Sequence, residues 1–254
     1  MLNVLLTAEP GMGKTMTLKK LVRENAKGFD RRAGVEPQPV LYVLMPGLPT
    51  EHDFFGQVFA ALGTPSITYH TAPRRRETAF RLLRECGTRA LVIDEINSLL
   101  AGSPRQQRIF LQLLRFLSNE LAIALICAGA PEARQAMLTD PQLRSRFLDI
   151  ELPPWRDDGE LRIFLARLVQ SLPLRRPSPV DSAGLRRLVA TRSAGLTWTI
   201  CKAFERAAVA AIASGEERLD RNSLDSEAVW RGLAAPGTAL ARRGRGRQVA
   251  AVRA

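Results

Sequence analysis

The chain is poor in the residues that build metal cages and disulfide frameworks. Its 254 residues hold three cysteines and two histidines. Cys86, Cys127 and Cys201 lie far apart without C-x-x-C spacing, and His52 and His70 join no cluster. That usage fits reduced thiols buried in a core and gives no basis for a metal site made of cysteine and histidine. Long apolar runs are missing too, so no segment reads as a membrane span. The opening MLNVLLTAEP has neither a basic n-region nor a cleavage site and reads as a strand, not a signal peptide. Acidic residues are scarce: 25 Asp and Glu face 37 Lys and Arg, a net charge of +12. Such a balance favours a polyanionic partner, although the excess of arginine over lysine is also a compositional bias.

What is present is a phosphate-binding pattern. In TAEPGMGKTMTLKK, residues 7–20, an apolar run (Asn3 to Thr7) feeds a turn made by Pro10, Gly11, Met12 and Gly13. A helical stretch begins at Lys14, Thr15 and Met16. Unpaired N–H groups at a helix start attract phosphate, a lysine at this place reaches the β- and γ-phosphates, and the hydroxyl after it ligates Mg²⁺. The expected ligands are therefore ATP, on Pro10 to Met16, and Mg²⁺, on Thr15. Ala8 stands where the usual pattern has glycine, which a methyl group permits unless that residue needs a positive φ.

RALVIDEINSLL, residues 89–100, supplies the second half. Its apolar run ends in two adjacent carboxylates, Asp94 and Glu95, which are costly at a buried strand end unless positive charge sits beside them. Open α/β sheets place ligands beyond the carboxyl ends of their strands, so this pair is expected beside the phosphate loop. Asp94 is the expected second holder of Mg²⁺, and Glu95 the residue that orients and polarises the attacking water. Together the motifs predict an NTPase.

Strands and helices alternate along the first part of the chain. Further strands are expected at residues 39–45, 122–130 and 147–153, and helices near residues 51–62, 75–85 and 106–121. This pattern predicts a parallel sheet of five strands with right-handed crossovers. Strand signals vanish from Trp155 onward, and helices are expected near 157–171, 182–191 and 198–213. The expected organisation is an ATPase core at 1–154, a small all-helical lid at 155–234 and a basic, disordered tail at 235–254.

The phosphate loop, LVIDE, a strand ending near AGA and QLRSRF before a helical lid resemble an AAA+ P-loop ATPase. More narrowly, LRECGTRALVIDEINSLLAGSPRQQRIFLQLLRFLSNEL, DPQLRSRF, LPPW and AGLTWTICKAFERAAVAAIASGEERL resemble the TniB/TnsC transposition ATPases, relatives of the phage Mu target-capture ATPase. The resemblance implies a bacterial, cytoplasmic, nucleoid-associated ATPase that assembles as a ring or helical filament on double-stranded DNA. Its implied partners are a transposase and a targeting or adaptor protein of the same element. It further implies that Arg146, in QLRSRF, is an arginine finger reaching a neighbouring subunit, with Arg144 the lesser candidate. In such an assembly Arg105 and Arg108, and the group Arg74, Arg75 and Arg76, would line a DNA channel. Departures are Ala8, Ala130 where relatives carry a hydroxyl residue, the absence of arginine near Trp198 and Thr199, and a short N-terminal segment. Slow hydrolysis would suit them. An AAA+ ATPase switching protein contacts without DNA is the alternative, and a nucleotide kinase a weaker one.

Overall fold

The computed structural model describes residues 2–29, 36–64, 71–138 and 140–233. The tail expected from residue 235 lies outside the described residues. The chain divides into two compact units, one of residues 1–8 and 14–152, the other of residues 9–13 and 153–254.

The first unit is a five-stranded parallel sheet among the described residues, flanked by helices. In chain order it holds β1 (Asn3–Thr7), α1 (Lys14–Glu24), β2 (Val40–Leu44), α2 (Glu51–Ala61), α3 (Ala72–Glu85) and β3 (Ala90–Asp94). After a 3-10 turn (Ile96–Ala101) come α4 (Pro104–Glu120), β4 (Ala124–Gly129), α5 (Pro131–Leu138), α6 (Pro141–Arg144) and β5 (Phe147–Glu151). The strand order is β2-β3-β4-β1-β5, every neighbouring pair parallel.

Period-two alternation sorts the strand side chains onto two faces. Leu5, Leu41, Val43, Leu91, Ile93, Leu125 and Cys127 join the larger core with Phe54, Phe55, Phe80, Phe110 and Leu114 of the covering helices. Phe54 meets Phe55 and Phe110 edge-on at 5.6 and 5.3 Å. Burying each such side chain stabilises the fold by about 1.5–3 kcal/mol. The opposite face carries Val92 and Ala128, which pack with Leu18 of α1, Tyr42 and Ile126. Ser103 and Gln106 form a reciprocal cap at the start of α4, and Pro104 fills its first turn.

The expected strands and long helices all occur, with ends shifted by a few residues. The short helices α5 and α6 and the 3-10 turn have no counterpart among the expected elements. One expectation is corrected: only Cys127 is buried, whereas Cys86 and Cys201 are half-buried. Burial without a compensating partner pushes the Cys127 thiol up to about 12.

The second unit is helical: α7 (Gly159–Gln170), α8 (Ala183–Ser193), α9 (Thr197–Ala213), α10 (Arg221–Asp225) and α11 (Glu227–Trp230). Its core gathers Leu161, Leu165, Leu185, Val189, Ile200, Phe204 and Leu224. Trp155 stacks on Phe164 at 4.7 Å, donates its indole N–H to Thr197, and its amide to the Gly195 carbonyl. Gly195 follows Ala194 into the left-handed region at φ 70°, and a Cβ there would lie 2.4 Å from the Trp155 carbonyl oxygen. Gly195→Ala therefore combines backbone strain with a backbone clash. It is expected to lower the thermal midpoint by roughly 5–10 °C in a melting experiment.

Candidate nucleotide-binding site

The loop between β1 and α1 turns at two residues that need glycine. Gly11 and Gly13 sit at φ 85° and 88°. Ala8 is not among the residues with positive φ and is buried, so the methyl group costs the loop no strain. Its amide donates to the Gly129 carbonyl and its carbonyl accepts from the Lys14 ammonium at 2.7 Å. In the helical unit the Gly11 carbonyl accepts from the Trp198 amide at 2.8 Å, and the Met12 carbonyl from the Thr197 hydroxyl at 3.3 Å. The lid position lacking arginine is thus occupied by backbone and hydroxyl contacts to the loop residues of the same unit.

Asp94 and Thr15, 79 positions apart, meet at the carboxyl ends of β1 and β3. The Thr15 hydroxyl donates to Asp94 Oδ2 at 2.6 Å. The Tyr42 hydroxyl donates to the same oxygen at 2.8 Å, and the Glu95 amide donates to Oδ1 at 2.9 Å. Asp94 is 1% exposed, and a buried carboxylate needs such donors. Burial first, then the Asp94 hydrogen bond and the charges of Asp94 and Glu95, push the Tyr42 phenol well above its ordinary range. It is a hydroxyl donor at any physiological pH. Glu95 itself is exposed and adopts φ 57°, a left-handed conformation that costs a non-glycine residue about 1–2 kcal/mol. Strain of this kind concentrates at functional positions.

A hydroxyl and a carboxylate oxygen within hydrogen-bond reach are the hard donor set that Mg²⁺ takes from proteins, alongside phosphate oxygens and water. The residues fit the ion, and Thr15 and Asp94 would hold it. Among the described residues no group of three or more His, Cys, Asp or Glu gathers as a cation cage.

Two neighbours of the site have no counterpart in the motif reading. Tyr42 reads in sequence as one more large side chain in the apolar run of β2. The parallel register pairing Leu44 with Asp94 brings it diagonally onto that carboxylate. Asn97 follows the acidic pair, and its Oδ1 accepts from the Ala130 amide at 3.1 Å. Gly129 lies beneath it, where a Cβ would meet Ile96 at 2.8 Å and Asn97 Oδ1 at 3.0 Å. The tip of β4 is therefore fixed although residue 130 carries no hydroxyl.

The remaining basic residues fall into different settings. Arg146 precedes β5, its carbonyl accepts from the Asn3 amide, and its guanidinium donates to Asn119 at the end of α4. It thus lies at the amino ends of the strands, about 13 Å of strand length from Thr7 at the carboxyl ends. Arg144 is exposed. Arg105 and Arg108 are exposed at the start of α4 and have no acidic partner among the described residues. Of residues 74–76, Arg74 alone is exposed. Arg75 is buried and donates to the His52 carbonyl; Arg76 makes a two-pronged pair with Glu51 and lies over the Phe116 ring. Both side chains are committed to holding α3 against its neighbours.

The strand order, the loop and the acidic pair at the end of β3 define the AAA+ class of ATPases. The solved Aeropyrum pernix ORC2 protein in ADPNP and ADP complexes is 17% identical with a TM-score of 0.66, covering 94% of this chain and 64% of that one. The A. pernix ORC1 protein in complex with DNA is 20% identical with a TM-score of 0.59, covering 88% of this chain and 58% of that one. The family model described as bacterial TniB protein matches residues 1–157, and the chain belongs to that family. A curated relative, the 26S proteasome regulatory subunit 6B homolog of Saccharomyces cerevisiae, is 26% identical over 196 residues, 72% of this chain. The chain spans 39% of that relative's length. Among the described residues no helix is long and apolar enough to cross a membrane.

Proposed function

We propose that this chain is an ATP-dependent, DNA-binding regulator of transposition that assembles on target DNA and recruits the transposase of its element. Membership of the bacterial TniB family carries the transposition part of the reading, and the 2.6 Å contact between the Thr15 hydroxyl and Asp94 supports its nucleotide site. ATP binds through the loop N–H groups and Lys14, whose charge offsets that of the β- and γ-phosphates. When bound, Mg²⁺ neutralises phosphate charge and orients the transferred group. Glu95 positions and polarises the attacking water, and its exposure leaves the carboxylate accessible for that task.

Arg146 stands at the end of the sheet opposite its own chain's acidic pair, which suits a finger acting on a neighbouring protomer. Oligomerisation would then complete each site, and hydrolysis would report on assembly. Arg105 and Arg108 supply phosphate contacts from the first turn of α4, with Arg74 as a further candidate. A structural neighbour, the A. pernix ORC1 protein, was solved in complex with DNA. Contacts to the backbone give affinity with little sequence preference, which a protein accepting many targets needs.

Replacing Arg105 and Arg108 together by alanine, in protein lacking the basic tail, is expected to weaken duplex binding. The salt dependence should flatten by about one unit of log–log slope for each lost phosphate contact, with ATP affinity unchanged. Unchanged affinity and slope would move DNA elsewhere on the protein. The whole reading is tested by ATP turnover and negative-stain imaging with and without duplex DNA. Stimulated turnover and DNA-dependent rings or filaments support it; indifference of both to DNA favours a switch acting on proteins.

A further inference from the structure

We infer that Tyr42 is a positioning residue for the metal-binding carboxylate, locking Asp94 in the orientation that receives the hydrated cation. The inference deepens the nucleotide-site reading and rests on it. Asp94 accepts three donors: Thr15 and Tyr42 on Oδ2, the Glu95 amide on Oδ1. Of these, the amide belongs to the backbone beside Asp94 and cannot choose between carboxylate rotations by itself. The Thr15 hydroxyl must also turn its lone pairs toward the cation when one is bound. Tyr42 has no second duty. Its phenol carries one hydrogen, and that hydrogen goes to Asp94 Oδ2.

The ring delivering it is well held. Tyr42 packs against the cluster of Leu18, Val92 and Ala128, and the Lys19 ammonium lies 5.7 Å from the ring centroid. Its side chain has two torsions ahead of the hydroxyl, so packing fixes the donor to within a small arc. Orientation of a metal-binding group by an outer hydrogen-bond partner is how proteins set both affinity and geometry. With Oδ2 pinned from both sides, Oδ1 keeps lone-pair capacity for a cation-bound water.

Tyr42→Phe removes the hydrogen bond while leaving the ring, its packing and the Lys19 contact. The test titrates Mg²⁺ into the full-length protein with a fluorescent ATP analogue and repeats the binding in EDTA. The half-saturating Mg²⁺ concentration is expected to rise about tenfold. Affinity in EDTA should stay within about twofold of the parent, because the phenol hydrogen is given to Asp94. In an Asp94→Asn background the Tyr42→Phe effect should vanish, since the phenol acts only through that carboxylate. An unchanged Mg²⁺ requirement overturns the proposal. So does an equal loss in EDTA, the mark of a packing role, or an effect that persists with Asp94→Asn. Failure of the parent protein to bind nucleotide would instead overturn the site reading itself, and this inference with it.

Discussion

Lys14→Ala is expected to remove ATP binding, with affinity falling at least about 100-fold, while Glu95→Gln binds as the parent does and does not turn over. The two effects separate because the residues act at different stages. Lys14 would neutralise charge already present on the ground-state phosphates, and a charge-assisted hydrogen bond of that kind carries roughly 1.5–3 kcal/mol before charge neutralisation is counted. Lys14 is 8% exposed and its ammonium donates to the Ala8 carbonyl, so the loop already holds it at the phosphate turn. On the proposed reading Glu95 would act on water in the transition state alone, so its loss should lower turnover by roughly 10²–10⁴-fold and leave binding intact. Calorimetric titration with ATP and phosphate-release assays check both. Equal nucleotide affinity in Lys14→Ala and parent would sink the assignment of the loop.

Arg146→Ala is expected to lower turnover by roughly 10³–10⁵-fold, the range an arginine finger supplies, with ATP binding retained. Arg146 lies about 13 Å of strand length from the acidic end of its own sheet, so on the proposed reading its guanidinium would serve a neighbour. Mixing Arg146→Ala with Lys14→Ala protein should therefore restore activity. The first contributes intact phosphate sites and the second intact fingers; with random head-to-tail assembly about a quarter of the interfaces are complete. No rescue in mixtures that still assemble would return Arg146 to a structural role, holding Asn119 at the end of α4.

The sheet and the meeting of the glycine loop with the acidic pair were legible because both are written locally. Short apolar runs such as ALVID mark buried parallel strands, and GMGKT and DE place their functional groups by backbone geometry alone. The strand order was not legible, since it depends on which runs pair across long separations. Proline-led pieces such as PEARQAML and PQLR are too short to show helical periodicity, so α5 and α6 went unseen. Arg75 and Arg76 look in sequence like the rest of PRRRE. Only the fold supplies the His52 carbonyl and the Glu51 carboxylate that take them out of the basic surface. Tyr42 was hidden for the opposite reason: its ring satisfies the apolar pattern, and the hydroxyl matters only once β2 lies beside β3. Ala8 shows how a departure from a motif becomes neutral when the backbone angle at that position is ordinary.

The uneven burial of the thiols has a practical consequence. Cys127 is fully enclosed and its thiolate is suppressed, so maleimide reagents will pass it by. Cys86, at the end of α3, and Cys201, in α9, are half-buried and fall in different units. The unmutated chain thus carries one partly exposed thiol in each unit; burial raises both, so a dye reaches either one only under alkaline conditions where its thiolate forms.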